Sequence, residues 1–225
     1  MTALNVRAWI NLSVLAIAMG LLIFLPAGTL RYWQGWVYLS LFVGMSSAIT
    51  ADLMWHDPSL LARRLKAGPG AEQRPQQRLI MAGISLGFVS LLLIPALDFR
   101  FKWSAVPLGG VIIGDALLVI GFGFIARIYR VNTFTSATVH IAEGQQVIAT
   151  GPYAVVRHPM YASGLLYLFG TPLALGSYWG LLAFAFMLPF VLWRLLDEEG
   201  LLASELRGYT EYQHRVRYRL LPFLW

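Results

Sequence analysis

No cysteine occurs among the 225 residues. That excludes a disulfide framework, thiolate metal ligands and a cysteine nucleophile. Charge is also scarce: 12% of residues are charged, where a soluble domain carries about a quarter. His56, His140, His158 and His214 are dispersed, and no pair has the i, i+4 spacing of a helical zinc site, so no metal is expected. There is no G-x-S-x-G elbow and no P-loop. Gly121-Phe122-Gly123 lacks the strand–turn–helix setting of a dinucleotide fingerprint and reads as helix packing.

Long apolar runs take the place of these motifs. Hydrophobic residues make up 58% of the chain, and the mean hydropathy is +0.64. This is the composition of an integral membrane protein. Its 8 tryptophans and 10 tyrosines suit bilayer interfaces. The net charge of +6 fits anionic headgroups and the positive-inside bias rather than nucleic acid, which is not an expected partner.

Six apolar segments are expected as helices: 8–26, 33–54, 79–97, 105–128, 160–175 and 179–196. The first exceeds a signal-peptide core of about 7–15 residues and reads as a retained helix. The last two, joined at Gly176-Ser177-Tyr178, are short and form a helical hairpin. The expected fold is all-α: a polytopic transmembrane bundle of about five or six helices. Residues 1–128 form its N-terminal helices, and 129–225 form a C-terminal core. Polar segments fill 57–78, 129–159 and 197–225. With a cytoplasmic N-terminus, fourteen of the seventeen Lys and Arg fall on the cytoplasmic side, leaving Arg31, Arg100 and Lys102 outside. N-terminus, C-terminus and site are therefore expected to face the cytoplasm. Gly83/Gly87 and Gly110/Gly114 read as close helix contacts. Asp115, in mid-segment, is either functional or a buried polar contact. Asp52, near a helix end, is expected to be solvated.

Chemistry is expected where Gln145-Gln146-Val147-Ile148 leads through Gly151-Pro152-Tyr153 to Arg157-His158-Pro159-Met160-Tyr161. Gly-Pro marks a turn, and Pro159 suits the first turn of a helix. His158 then stands at the N-cap, beside free backbone N–H groups and a partial positive charge. The competing reading is that Arg157 and His158 only anchor the helix at the headgroups. Arg194 and Glu198 are four apart and share a helix face. Their bland reading is a surface ion pair. The helix continues past Asp197-Glu198-Glu199 toward Leu206, with Gly208 as a stop. A carboxylate here can accept two hydrogen bonds from a diol such as ribose.

The run V-I-A-T-G-P-Y-A-V-V-R-H-P-M-Y, the apolar hairpin, R-x-x-x-E-E-x-x-L and the later G-Y-x-x-Y-x-x-x-V together resemble the isoprenylcysteine carboxyl methyltransferase family, which is related to membrane phospholipid methyltransferases. The resemblance covers about 138–222. It implies S-adenosylmethionine as cofactor, bound without a Rossmann domain by the C-terminal core, 129–225, on the cytoplasmic side. It implies that Gln145, Gln146, Val147, Ile148 and Tyr153 line the cofactor, that His158, Pro159, Met160 and Tyr161 hold it, and that Glu198 is the acid facing it. Glu199 completes the acidic pair. Arg194 is implied to face the methyl acceptor, and Arg194, Glu198 and His158 are the expected catalytic groups. Ala162-Ser163 before Gly164 departs from the pattern of many relatives and shifts the small-residue packing at the acceptor end. The implied acceptor is hydrophobic or lipid-like, with O-methylation of a prenylated cysteine the nearest match. A phospholipid or small-molecule N- or S-methyltransferase is the alternative within the family. A transporter or a scaffold would be the alternative outside it. A transporter would place ionisable groups along its helices, and a scaffold has no need of both the RHP and EE elements.

Overall fold

The computed structural model describes residues 2–225, and among these every regular element is helical. The helices are α1 (Ala3–Ala27), α2 (Trp33–His56), α3 (Pro58–Arg64), α4 (Pro75–Phe101), α5 (Leu108–Val131), α6 (Pro159–Ala174), α7 (Gly180–Glu205) and α8 (Tyr209–Arg215). Two 3-10 turns, Pro69–Ala71 and Gly151–Ala154, sit in the connections. Five helices, α1, α2, α4, α5 and α7, are long and apolar enough to cross a membrane. The expected polytopic helical bundle is therefore the observed fold. With 16 residues, α6 is shorter. It packs along α5, and its C-terminal turn reaches the bundle end where Tyr32 donates its hydroxyl proton to the Leu175 carbonyl.

Local chemistry sets the element ends. The Thr2 hydroxyl accepts from the Asn5 N–H to open α1, and Gly28 closes it in the left-handed region at φ 69°. Asp57 caps α3 by accepting from the Leu60 N–H at 2.8 Å. Pro58, Pro75 and Pro159 occupy first turns, where a missing N–H costs nothing. Most helices overrun their apolar segments. The third, expected at 79–97, runs from Pro75 to Phe101, and the sixth, expected at 179–196, continues to Glu205. Hydropathy marks where lipid begins, whereas helical hydrogen bonding continues into the polar interface.

The core joins α1, α2, α4, α5 and α6 through Met19, Ile23, Tyr38, Phe42, Leu92, Leu118 and Ala174. Small residues let backbones approach. A Cβ on Gly83 would lie 2.5 Å from the Phe190 ring, and one on Gly87 would lie 2.7 Å from Met187, so this pair seats α7 on α4. On α5 the working pair is Gly114 and Gly121, which face the α6 backbone. The sequence spacing had paired Gly114 with Gly110, but Gly110 meets only Val106 and Pro107 just before it in the chain, and Gly123 faces open space.

The two ends of the bundle differ in chemistry. At one end, Asp98 accepts from the Ser104 N–H (2.7 Å), the Ser104 hydroxyl (2.5 Å) and the Ser177 hydroxyl, tying the α4–α5 and α6–α7 connections together. At the other end the three polar segments converge. Asp52, expected to be solvated, is partly exposed there and also accepts from Arg130 (Nε to Oδ2, 2.8 Å), which links α2 to α5. Asp115 is partly exposed on α5, and its Oδ1 has no partner.

Candidate active site

A cavity of about 390 Å³ opens where the polar segments meet the helix ends. Its floor is apolar, built from Met81 and Ile84 of α4, Leu168 of α6 and Val191 of α7. Its rim is polar and comes from residues 132–140 and 145–148 together with the starts of α6 and α8. Gln145, Gln146, Val147, Ile148, Tyr153, His158, Met160, Tyr161, Arg194 and Glu198 all line it. Segments far apart in sequence thus meet in one place, because α6 returns the chain through the bundle to α7.

The N-terminal end of α6 is held by the tail. The Arg157 N–H donates to the Tyr218 carbonyl and the His158 N–H to the Arg219 carbonyl, both at 2.9 Å. His158 caps α6 without a side-chain bond to its backbone. Its Nε2 is buried and unpartnered, 3.6 Å from Glu199 Oε1. Its ring stands edge-on to Tyr161, with centroids 5.8 Å apart. The Tyr161 hydroxyl donates to Glu198 Oε2 at 2.5 Å. Tyr153 accepts from Asn132 Nδ2 at 2.9 Å, and its carbonyl takes the Tyr212 hydroxyl proton at 2.7 Å. Burial pushes the Tyr153 phenol up to about 12 against the opposing Asn132 bond, so this wall is neutral. Burial, reinforced by the Glu199 and Glu198 carboxylates, likewise pushes the Tyr209 phenol well up, and its buried oxygen has no partner.

Two residues expected at the cofactor stand off the cavity wall. Pro159 is buried at the first turn of α6, where its role is conformational. Glu199 points away from Glu198, since neighbours on a helix differ by about 100° in direction. Its carboxylate takes Arg157 Nε and Arg219 Nε, each at 2.6 Å. Arg157 also donates to the Val216 and Arg217 carbonyls, at 2.9 and 2.8 Å. Arg157 is thus neither a headgroup anchor nor a free cation. It is the bolt between the start of α6, α7 and the tail.

Arg194 does not pair with Glu198. Its Nη2 lies 2.8 Å from Glu72 Oε1, an ion pair without hydrogen-bond alignment. It donates to Gln77 Oε1 at 2.7 Å and to the Ala137 carbonyl at 2.8 Å. Glu72, Gln77, Asn132 and Tyr209 are site neighbours that sequence reasoning missed. Glu72 carried a signal as an isolated acid within a basic segment, and Tyr209 as the first tyrosine of the G-Y-x-x-Y run.

Among the described residues no three potential metal ligands cluster. Residues 110–206 match the family model described as phospholipid methyltransferase. The match runs from α5 to the end of α7. It includes His158, Tyr161, Arg194 and Glu198, and it leaves out Glu72, Gln77 and the tail. No curated protein matches the chain.

Proposed function

We propose that this chain, whose residues 110–206 carry the phospholipid methyltransferase match, is a multi-pass membrane enzyme that methylates a lipid-like acceptor with S-adenosylmethionine. The observation that carries this reading is the cavity, which joins a polar rim to an apolar floor inside the bundle. Its volume is within the roughly 300–1,000 Å³ of small-molecule sites. The donor set fits the cofactor: the Tyr209 hydroxyl is buried on the cavity lining without a hydrogen-bond partner, and His158 Nε2 has only the Glu199 carboxylate, 3.6 Å away. Such groups are costly unless a ligand satisfies them. Glu198 supplies the acid for a diol or an ammonium group, and residues 145–148 supply backbone and side-chain contacts along the rim.

The cofactor contributes a methyl group on a sulfonium, whose departure as a neutral thioether needs no acid. The protein's task is then alignment and exclusion of water. Met81, Ile84, Leu168 and Val191 hold the acceptor's apolar part and keep the floor dry. Tyr161 fixes the Glu198 carboxylate through its 2.5 Å hydrogen bond. Fourteen of seventeen cations at the site end support a cytoplasmic mouth.

The nearest substrate reading is O-methylation of a prenylated cysteine carboxylate, which is already a nucleophile at neutral pH. Arg194 would orient it. Amine methylation is the second reading, favoured because Arg194 is already neutralised by Glu72 and bonded to Gln77 and Ala137. An amine must first lose a proton, and His158 on the cavity lining is the residue placed to take it. The test is transfer of labelled methyl from S-adenosylmethionine into host membranes, followed by mild base. Base-labile label in membrane protein marks the ester, and base-stable label in lipid marks the amine. No label in any membrane fraction would overturn the methyltransferase reading.

A further inference from the structure

We propose that Glu72 is a positioning residue for the reaction, acting through Arg194; this rests on the methyltransferase reading above. Glu72 lies between α3 and α4, outside the family match, in a segment whose five basic residues would place it in water. Its 2% exposure is therefore unexpected. A buried carboxylate is retained only where paired and hydrogen-bonded.

Both partners of its carboxylate line the cavity. One oxygen faces Arg194 at 2.8 Å, and the other accepts from the Val139 N–H at 3.3 Å. Its carbonyl takes Arg78 Nε at 2.8 Å, which holds the segment to α4. Gln77 completes the frame. Its amide nitrogen donates to Asp197 Oδ2 at 2.5 Å, so its oxygen must face Arg194. Asp197 is itself gripped by Arg74 through two bonds, of 2.7 and 3.0 Å. Arg64 donates to the Ser136 carbonyl at 2.8 Å, and Arg63 donates to that of Thr133. The polar segment 57–78 is a strap. Arg63 and Arg64 hold the Thr133 and Ser136 carbonyls beside the cavity, and Glu72 fixes Arg194.

Val191, Arg194 and Glu198 succeed one another on the cavity face of α7. Arg194 therefore stands at the boundary between apolar floor and polar rim, where an acceptor headgroup must lie if its tail occupies the floor. Glu72 sets both the direction and the net charge of that position. Without it Arg194 is a buried cation held only by the neutral Gln77 and Ala137 oxygens.

The experiment uses the full-length protein in lipid nanodiscs, S-adenosylhomocysteine as binding probe and a host membrane extract as acceptor. Glu72→Gln is expected to lower kcat/KM for the acceptor by about tenfold or more, with the S-adenosylhomocysteine Kd unchanged within about threefold. Glu72→Asp, which keeps the charge, is expected to recover part of the loss. In a melting cycle, Glu72→Gln is expected to lower the Tm less in an Arg194→Met background than alone, the sign of direct pairing. Wild-type kcat/KM in Glu72→Gln, a parallel collapse of homocysteine-analogue binding, or full additivity in the cycle would each overturn the proposal. Failure of the wild-type protein to bind the probe would instead overturn the methyltransferase reading, and this proposal with it.

Discussion

Glu199→Ala is expected to cost about 3–5 kcal/mol, the penalty for removing one partner of a buried ion pair. Glu199 is 5% exposed and Arg157 7%. Deleting the acid leaves the Arg157 guanidinium inside with only the Val216 and Arg217 carbonyls as partners. It also frees Arg219, whose backbone carbonyl holds the His158 N–H. Two consequences follow from one atom group: lower stability and a loosened start of α6. The measurement is thermal melting of the full-length protein, with a fall on the order of 10 °C for a chain of this size. Glu198→Ala is the internal comparison. Its carboxylate is only partly buried, and its one side-chain bond comes from Tyr161, so it melts near wild type. Equal melting of the two variants would contradict the division of roles between these neighbours.

Gly114→Val is expected to be the most damaging single addition of atoms in the membrane region. A Cβ at Gly114 would lie 2.2 Å from the Ala174 nitrogen and 2.7 Å from the Gly170 carbonyl oxygen. These are backbone atoms and cannot swing aside. The partner surface is equally tight, since a Cβ on Gly170 would lie 2.7 Å from the Gly114 carbonyl. Seven residues along α5, Gly121 meets the Ser163 carbonyl in the same way, at 2.9 Å. The seam thus runs two turns along both helices. Overpacking a core usually costs about 1–3 kcal/mol. Here α6 must translate, and His158 and Tyr161 at its other end move with it. Loss of cofactor binding is therefore expected along with lowered melting. Gly123→Ala, with nothing near its Cβ, is the control and is expected to keep both.

The parts of the protein legible in sequence are those where one force dominates. Lipid demands about 20 apolar residues per crossing, so the long helices could be read directly, though not their polar extensions. His158, Met160 and Tyr161 of the RHP motif and Arg194 and Glu198 of the EE motif line one cavity, because each motif lies on one continuous helix start or helix face. Long-range pairing was not legible. The i, i+4 spacing of Arg194 and Glu198 fitted a salt bridge, yet Arg194 pairs with Glu72, more than a hundred residues earlier. Arg157 looked like an interfacial cation, but the tail that buries it lies about sixty residues downstream. The glycine seam was half legible for the same reason. Spacing within α5 names a face, but only the approach of α6 decides which glycines lie on it.

The central claim is that this cavity binds S-adenosylmethionine, and titration calorimetry with S-adenosylhomocysteine on the purified full-length protein tests it most directly. The wild-type protein is predicted to bind one equivalent saturably. Glu198→Ala is predicted to weaken binding by about 1.5–3 kcal/mol, roughly tenfold to a hundredfold, the worth of hydrogen bonds to a charged group. No binding heat and no thermal shift in the wild type, or unchanged affinity in both Glu198→Ala and His158→Ala, would contradict the account.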